Sequence, residues 1–198
     1  MKLIIQLVLI LASSFIGYLI YDSIASKIEL EKEIEHRKSV VIERLEQIKE
    51  AQLFYKKIHG EYANSFDQLK DFLENDSITI INATGLVPDS LLGQEAKAIA
   101  LGIIVRDTSK IAVKEQIFKD NFSKIVDSLA IIPFSGGKQF TFNSGEIKRE
   151  KVKINVFEVV APFIEIYNDL KTDRIAIDTS QSLIMGSMKE NSIKGNWE

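Results

Sequence analysis

Histidines at 36 and 59 and no cysteine are all that the chain offers to a soft-metal or activated-nucleophile site. His36 stands in a run of charged residues. His59 stands beside an expected helix end, where the dipole favours a cation. Two imidazoles with no thiolate and no carboxylates at ligand spacing do not make up the four ligands of a zinc site. The glycine-rich stretch FSGGK at 134–138 lacks the G-x-x-x-x-G-K-[ST] spacing of a phosphate loop and reads as a Gly-Gly turn between strands. The polar run 106–110 reads as a turn by the same logic. Serines are plentiful, but none sits in a nucleophile elbow and no histidine is placed to activate one. Phe140, Phe142 and Phe157 are expected in a sheet core, with a ligand groove as the alternative. No catalytic or metal-binding residue and no cofactor is assigned, and an enzyme is not expected.

The elements around these residues say more. At 198 residues the chain holds one ordinary domain and an appendage. Its 25 basic residues are interleaved with 28 acidic ones, net charge −3, which excludes the basic stripe of a nucleic-acid binder. The N-terminus is different in kind. Leu3, Ile4, Ile5, Leu7, Val8, Leu9, Ile10, Leu11, Phe15, Ile16, Leu19 and Ile20 form an apolar run interrupted by little more than Gln6, Ser13 and Ser14. The run exceeds the usual apolar core of a signal peptide and reaches the ~18 residues of a spanning helix. Tyr18 and Tyr21 stand where interfacial aromatics anchor a span. An uncleaved signal anchor over 1–21 is therefore expected; the alternative is a cleaved, soluble protein cut near Ser23-Ile24-Ala25. Lys2 favours an inside N-terminus, and a long following domain translocates largely regardless of charge. The expected location is thus the inner membrane, single pass, with the C-terminal domain in the periplasm.

No Pro or Gly interrupts 22–59, so one helix should continue from the span, ~80 Å long from Leu3 to Ile58 at 1.5 Å per residue. Ile34, Val41, Ile48 and Tyr55 recur every seven residues, and Leu45, Ala51 and Ile58 widen the stripe. Over 26–39 the helix is mostly charged, with Lys27/Glu31 and Glu33/Arg37 four apart as in a solvated helix. The organisation read from this is a charged helical stalk at 22–39 and a head at 40–198. Val41, Leu45, Ile48, Phe54, Tyr55, Tyr62, Phe66 and Leu69 are expected to pack helix against head. Gly60 should end the helix in the left-handed conformation. Ser65 with Gln68 is a capping-box pattern opening a second short helix.

Beyond Asn75 the period changes to that of strands. Strands are expected at 77–82, 102–107 and 110–118, the last two forming a hairpin through a turn at 107–109, with an Ala-rich helix near 91–101 before them. A helical turn at 120–129, a strand at 129–134 and a long hairpin over 138–163 follow. Further strands are read at 162–170 and 174–185, and the closing KENSIKGNWE reads as a loose tail that Trp197 docks.

Residues 48–69, IKEAQLFYKKIHGEYANSFDQL, resemble the junction of type IV pilins and secretion pseudopilins, in which a membrane helix ends in A-x-x-x-Y-x-x-x-x-G-x-Y and leads into an antiparallel sheet. Ala51, Tyr55, Gly60 and Tyr62 match that pattern. The prepilin Gly-Phe processing site is missing, no Pro kinks the helix, and the Glu- and Lys-rich stalk would be hard to bury in a filament. The architecture is also similar to stalked platform proteins of such machines. The whole chain, with its closing Gly195-Asn196-Trp197-Glu198, resembles membrane-anchored proteins of Bacteroidetes, a likeness that carries no function. An Asp-Ser-Ile/Leu tripeptide at Asp22, Asp76, Asp89 and Asp127 resembles the O-glycosylation acceptor of that group, implying Ser77, Ser90 and Ser128; the alternative is that Asp-Ser pairs start turns and helices. The resemblance implies an α+β, pilin-like fold: a transmembrane helix continuous with a stalk helix of coiled-coil type, then an antiparallel-sheet head. It implies a structural, protein-binding component of a pilus- or secretion-type assembly, with other envelope proteins or itself as partners, the membrane as anchor, and no nucleic acid or small molecule. A stalked ligand-binding or sensory domain is the alternative.

Overall fold

The computed structural model describes residues 1–84, 93–103, 105–113, 122–170 and 177–198. The first helix, α1, runs without a break over Lys2–His59, 58 residues and about 87 Å at 1.5 Å per residue. Gly60 ends it at φ 83°, its N–H bonded to the Lys56 carbonyl at 2.8 Å. Residues 2–24 are exposed throughout, and this end carries one segment long and apolar enough to cross a membrane.

Helix α2 follows at Phe66–Asn75, the Ser65 hydroxyl accepting from the Gln68 N–H. The Gln68 side chain closes the cap one residue further out than a capping box would, on the Asn64 N–H at 2.8 Å. Strand β1 (Ser77–Thr84) pairs antiparallel with β2 (Val105–Ala112) as a separate two-stranded sheet, with the short helix α3 (Glu95–Ala100) between them in sequence. Helix α4 (Phe122–Ser128) then leads to the main sheet, β3 (Thr141–Arg149), β4 (Val152–Pro162) and β5 (Ser182–Gly186), antiparallel in the order β3-β4-β5. A one-turn helix, α5 (Phe163–Ile166), lies between β4 and β5. The fold is thus α+β: a long apolar-ended helix, then a head built on a small antiparallel sheet.

The core forms where the helix seam meets the sheet. Phe157, Val159 and Ala161 alternate inward along β4, Leu183 and Met185 along β5, and Leu69, Phe72 and Leu73 close the layer from α2. Each fully buried side chain of this size contributes roughly 1.5–3 kcal/mol over its exposed state.

Several expectations are corrected. Among the described residues the expected turn at 107–109 does not form, and with it the hairpin read between 102–107 and 110–118. Residues 107–109 lie inside β2, opposite Asn82, Ile81 and Ile80, because the pairing partner is the distant β1 and a two-stranded ribbon does not require buried positions. The far end of the expected strand, 114–118, lies outside the described residues. Residues 129–134 are not a strand: Ile131 makes one bridge to Gln139, and the chain turns around Pro133, Gly136 and Gly137. The Ser135 hydroxyl holds that turn, donating to the Ile132 carbonyl at 2.7 Å and accepting the Lys138 N–H at 2.9 Å. Residues 163–166 are helical, since Phe163, Ile166 and Tyr167 fit a helical period as well as a strand period and Pro162 sets the entry. The tail is tied down. Gly195 bridges Met185, the Asn196 side chain accepts the Ile184 N–H and donates to the Ser182 carbonyl, and Trp197 packs partly buried on the core.

Candidate functional site

The most built feature of the molecule is the seam between α1 and the head. Spacings of four, three, three and four put Val41, Leu45, Ile48, Ala51 and Tyr55 on one face, and all five are buried, four of them to 0% exposure. Phe54 and Phe66 are half-buried against the same core, and Tyr62 and Leu69 are buried in it. The Tyr62 ring lies 4.6 Å from Phe157 on β4, with the Lys56 ammonium 4.3 Å above it. Phe66 meets Phe142 at 4.7 Å. Beyond Gly60, whose carbonyl accepts from the Asn155 side chain at 3.0 Å, the chain therefore folds back along the helix it has just left.

Polar groups in the seam are paired. Gln52, fully buried, accepts the Ala63 N–H at 2.9 Å and donates to the Ala63 carbonyl at 3.3 Å. Its amide stands in for a strand partner and holds the returning chain. The Gln68 amide donates to the Tyr55 hydroxyl at 2.5 Å. Burial, then the nearby Glu61 and Asp76 carboxylates, push the Tyr55 phenol above its ordinary value. Arg44 donates to both the carbonyl and the hydroxyl of Ser128, and burial lowers its guanidinium from the usual value.

The head takes hold of the helix earlier than the sequence boundary at residue 40. Ile34 packs on the core, and Arg37, 7% exposed, is the first fully engaged residue. Its Nε donates to Glu33 at 2.7 Å and its Nη1 to the Ile166 carbonyl at 3.1 Å. Nη1 and Nη2 grip the two oxygens of Asp169, the second at 3.0 Å. The Phe134 ring lies 4.9 Å from its Cζ. The hydrogen bonds that Arg37 donates hold the Asp169 carboxyl below its usual range, and the same bonds raise the guanidinium further. Sequence reasoning placed Arg37 on a solvated face by its pairing with Glu33. It missed Arg37 and Gln52 as seam residues, the only signal being that both fall on the heptad stripe flanked by apolar neighbours.

The span residues Leu3, Ile4, Ile5, Leu7, Val8, Leu9, Ile10, Leu11, Phe15, Ile16, Leu19 and Ile20 are all exposed, with no core of the head against them. Of the three candidate acceptor serines, Ser77 is exposed at the start of β1, and Ser128 is half-buried with its hydroxyl engaged by Arg44. Ser90 lies outside the described residues. The His36 and Phe134 rings meet in a T-shaped contact at 6.1 Å, and His59 stacks on Tyr55 at 4.3 Å with Nε2 3.3 Å from Asp76. Among the described residues no three His, Asp or Glu side chains gather as a metal set would. A groove of about 180 Å³ lies between α2 and α4, its rim crossed by the Lys70–Asp127 ion pair at 2.8 Å; small-molecule pockets run to about 300–1,000 Å³. No family model, curated protein or solved structure matches the chain, so its functional reading rests on its own geometry.

Proposed function

We propose that this chain is a membrane-anchored structural component of a pilus- or secretion-type envelope assembly, its span in the inner membrane and its head in the periplasm, acting by binding other envelope proteins or further copies of itself. The observation that carries the reading is one uninterrupted helix, whose apolar end has no buried residue and whose other end supplies five core side chains to the head. From Tyr21 to Ile34 the helix rises about 20 Å at 1.5 Å per residue. A rigid spacer of that kind suits a part that holds a surface at fixed height over a bilayer. Lys27, Glu29, Glu31 and Lys32 on it are exposed. Burying them in a filament shaft would strand charges, so a tether or platform role fits better than that of a shaft subunit. The pilin-like junction at Ala51, Tyr55, Gly60 and Tyr62 supports the same reading, since these residues close the helix and fold the chain back onto the sheet.

The test is photocrosslinking in native membranes from exposed positions on the spacer and the head, Glu29 and Ile164, with identification of the adducts. Adducts to envelope proteins or to a second copy are expected. A head that yields no protein adduct and retains a small molecule on purification would move the reading to a ligand-binding domain. Protease added to spheroplasts should digest the head; protection would reverse the orientation.

A further inference from the structure

The main sheet changes its apolar side along its length. In the body of the sheet Phe157, Val159 and Ala161 of β4 and Phe142 of β3 turn towards the core under the helices. The Asn155 amide, bonded to the Gly60 carbonyl, marks the level at which α1 ends, and from there to Val152 the ribbon of β3 and β4 runs on for about 10 Å at ~3.3 Å per residue. On this stretch the inner side is polar, with Glu146 opposite Asn155 and Lys148 opposite Lys153. The apolar residues have moved to the outer side. Ile147 stands opposite Ile154, and Val152, opposite Arg149, is 61% exposed. Lower on the same outer side Met188 lies over Gly145, and Val156 is buried. Strand β5 ends at Gly186 opposite Glu158, so among the described residues the ribbon above that level has no third strand. A two-stranded ribbon is marginal on its own in water, and an apolar side turned away from its own head is a surface for another body.

The orientation of the sheet and the charges at its lip point to a second copy of this chain. β4 runs back along α1: Asn155 lies level with Gly60, and just past Pro162 the Ile166 carbonyl accepts from Arg37. Two copies anchored in one bilayer are related by an axis along the membrane normal, and so roughly along helix and strands. Such an axis sets outer side against outer side at equal height, Ile147, Val152 and Ile154 against the same three, with the strands aligned as in packed sheets. Antiparallel joining of two β3 edges would instead need an axis across the strands, and one span would then point away from the bilayer. At the lip of the apolar face stand Arg149 and Glu150, adjacent, of opposite sign and, among the described residues, without an ion pair; Glu146 on the inner side is held by Lys153 at 3.0 Å. Across the axis each Arg149 meets the Glu150 of the other copy.

We propose that the outer face of the β3–β4 ribbon, Ile147, Val152 and Ile154 with Arg149 and Glu150 at its lip, is the surface by which two copies of this chain pair in the membrane. The inference rests on the reading of the chain as a membrane-anchored component, and names its partner and its contact. Three β-branched side chains cover far less than the ~800 Å² per partner of a standard stable interface. The pair therefore forms where anchoring in one bilayer raises the effective concentration of the heads.

The chain has no cysteine, so an introduced one reports on pairing directly. Full-length protein carrying Val152→Cys, or Glu74→Cys at an exposed position on α2, is reconstituted in liposomes and oxidised with copper phenanthroline. Disulfide-linked dimer should form roughly tenfold faster from Val152→Cys than from Glu74→Cys, which reports random collision. In the Val152→Cys background Arg149→Glu sets like charges across the lip and should slow the crosslink about fivefold; adding Glu150→Arg should restore it. Equal rates at the two positions overturn the proposal. So does a rate that Arg149→Glu leaves unchanged, or one that the second charge change does not restore. Flotation of the same liposomes separates the two failures: protein that does not float contradicts the membrane reading and the pairing with it, whereas floating protein with equal rates contradicts the pairing alone.

Discussion

Truncation of Leu45 or Ile48 to Ala gives the sharpest reading of how the helix serves the head. Both side chains are at 0% exposure in the seam. Removing three carbons from either loses about 2.4 kcal/mol at ~0.8 kcal/mol per buried methylene. The cavity left between helix and sheet adds a further cost that depends on how far α1 can settle, which places the total at about 3–5 kcal/mol. Leu30, on the spacer, should cost less than about 0.5 kcal/mol on the same change. The assay is urea unfolding followed by circular dichroism on residues 27–198, which keep the helix–head contacts described above. A difference of several kcal/mol between the Leu45 and Leu30 variants is expected. If the two melt alike, the helix is a tether lying beside the head, and the account of α1 as its spine is wrong.

Gln52→Leu should destabilise the same fragment by about 2–4 kcal/mol, since it strands the Ala63 N–H and carbonyl in the core at roughly 1–3 kcal/mol each; a raised urea midpoint would contradict this. Gly60 and Gly186 both hold positive φ, but a Cβ at Gly60 meets open space while one at Gly186 falls 2.3 Å from the Phe157 carbonyl oxygen. Gly60→Ala should therefore cost about 1 kcal/mol and Gly186→Ala about 2–5, read from the same melts. Asp169 is depressed by Arg37, so its contribution is present above the ordinary carboxylate value of about 3.9 and is lost as pH falls through its lower folded value. Glu33 faces the same guanidinium, and Glu35 lies near Tyr167. The stability difference between wild type and Asp169→Asn should accordingly be constant at neutral pH and shrink as pH falls below the ordinary carboxylate value.

The helix, its end at Gly60 and its apolar seam were legible because they are local: a heptad stripe, an absence of breakers, and a glycine followed by a capping serine. The long hairpin of β3 and β4 was legible for the same reason, as alternation on both sides of a turn. What could not be read joins residues far apart. Arg37 and Asp169 stand 132 positions apart, and only the folded chain turns a solvated-looking i,i+4 pair into a fork whose guanidinium is buried. β2 was misread because three polar residues inside a strand look like a turn unless its partner is known. The segments 129–134 and 163–166 were misread as strands because apolar residues there fit both periods, and Pro133 and Pro162 decide between them.

Amide hydrogen exchange along α1, in the full-length protein in nanodiscs, tests most directly that one helix is both anchor and spine. The account predicts three zones: slow exchange over 3–20 inside lipid, fast exchange over 22–33 on the bare spacer, and exchange over 41–58 as slow as that of β4. Fast exchange over 41–58 while β4 stays protected would contradict it, as would a single uniform rate from 22 to 58.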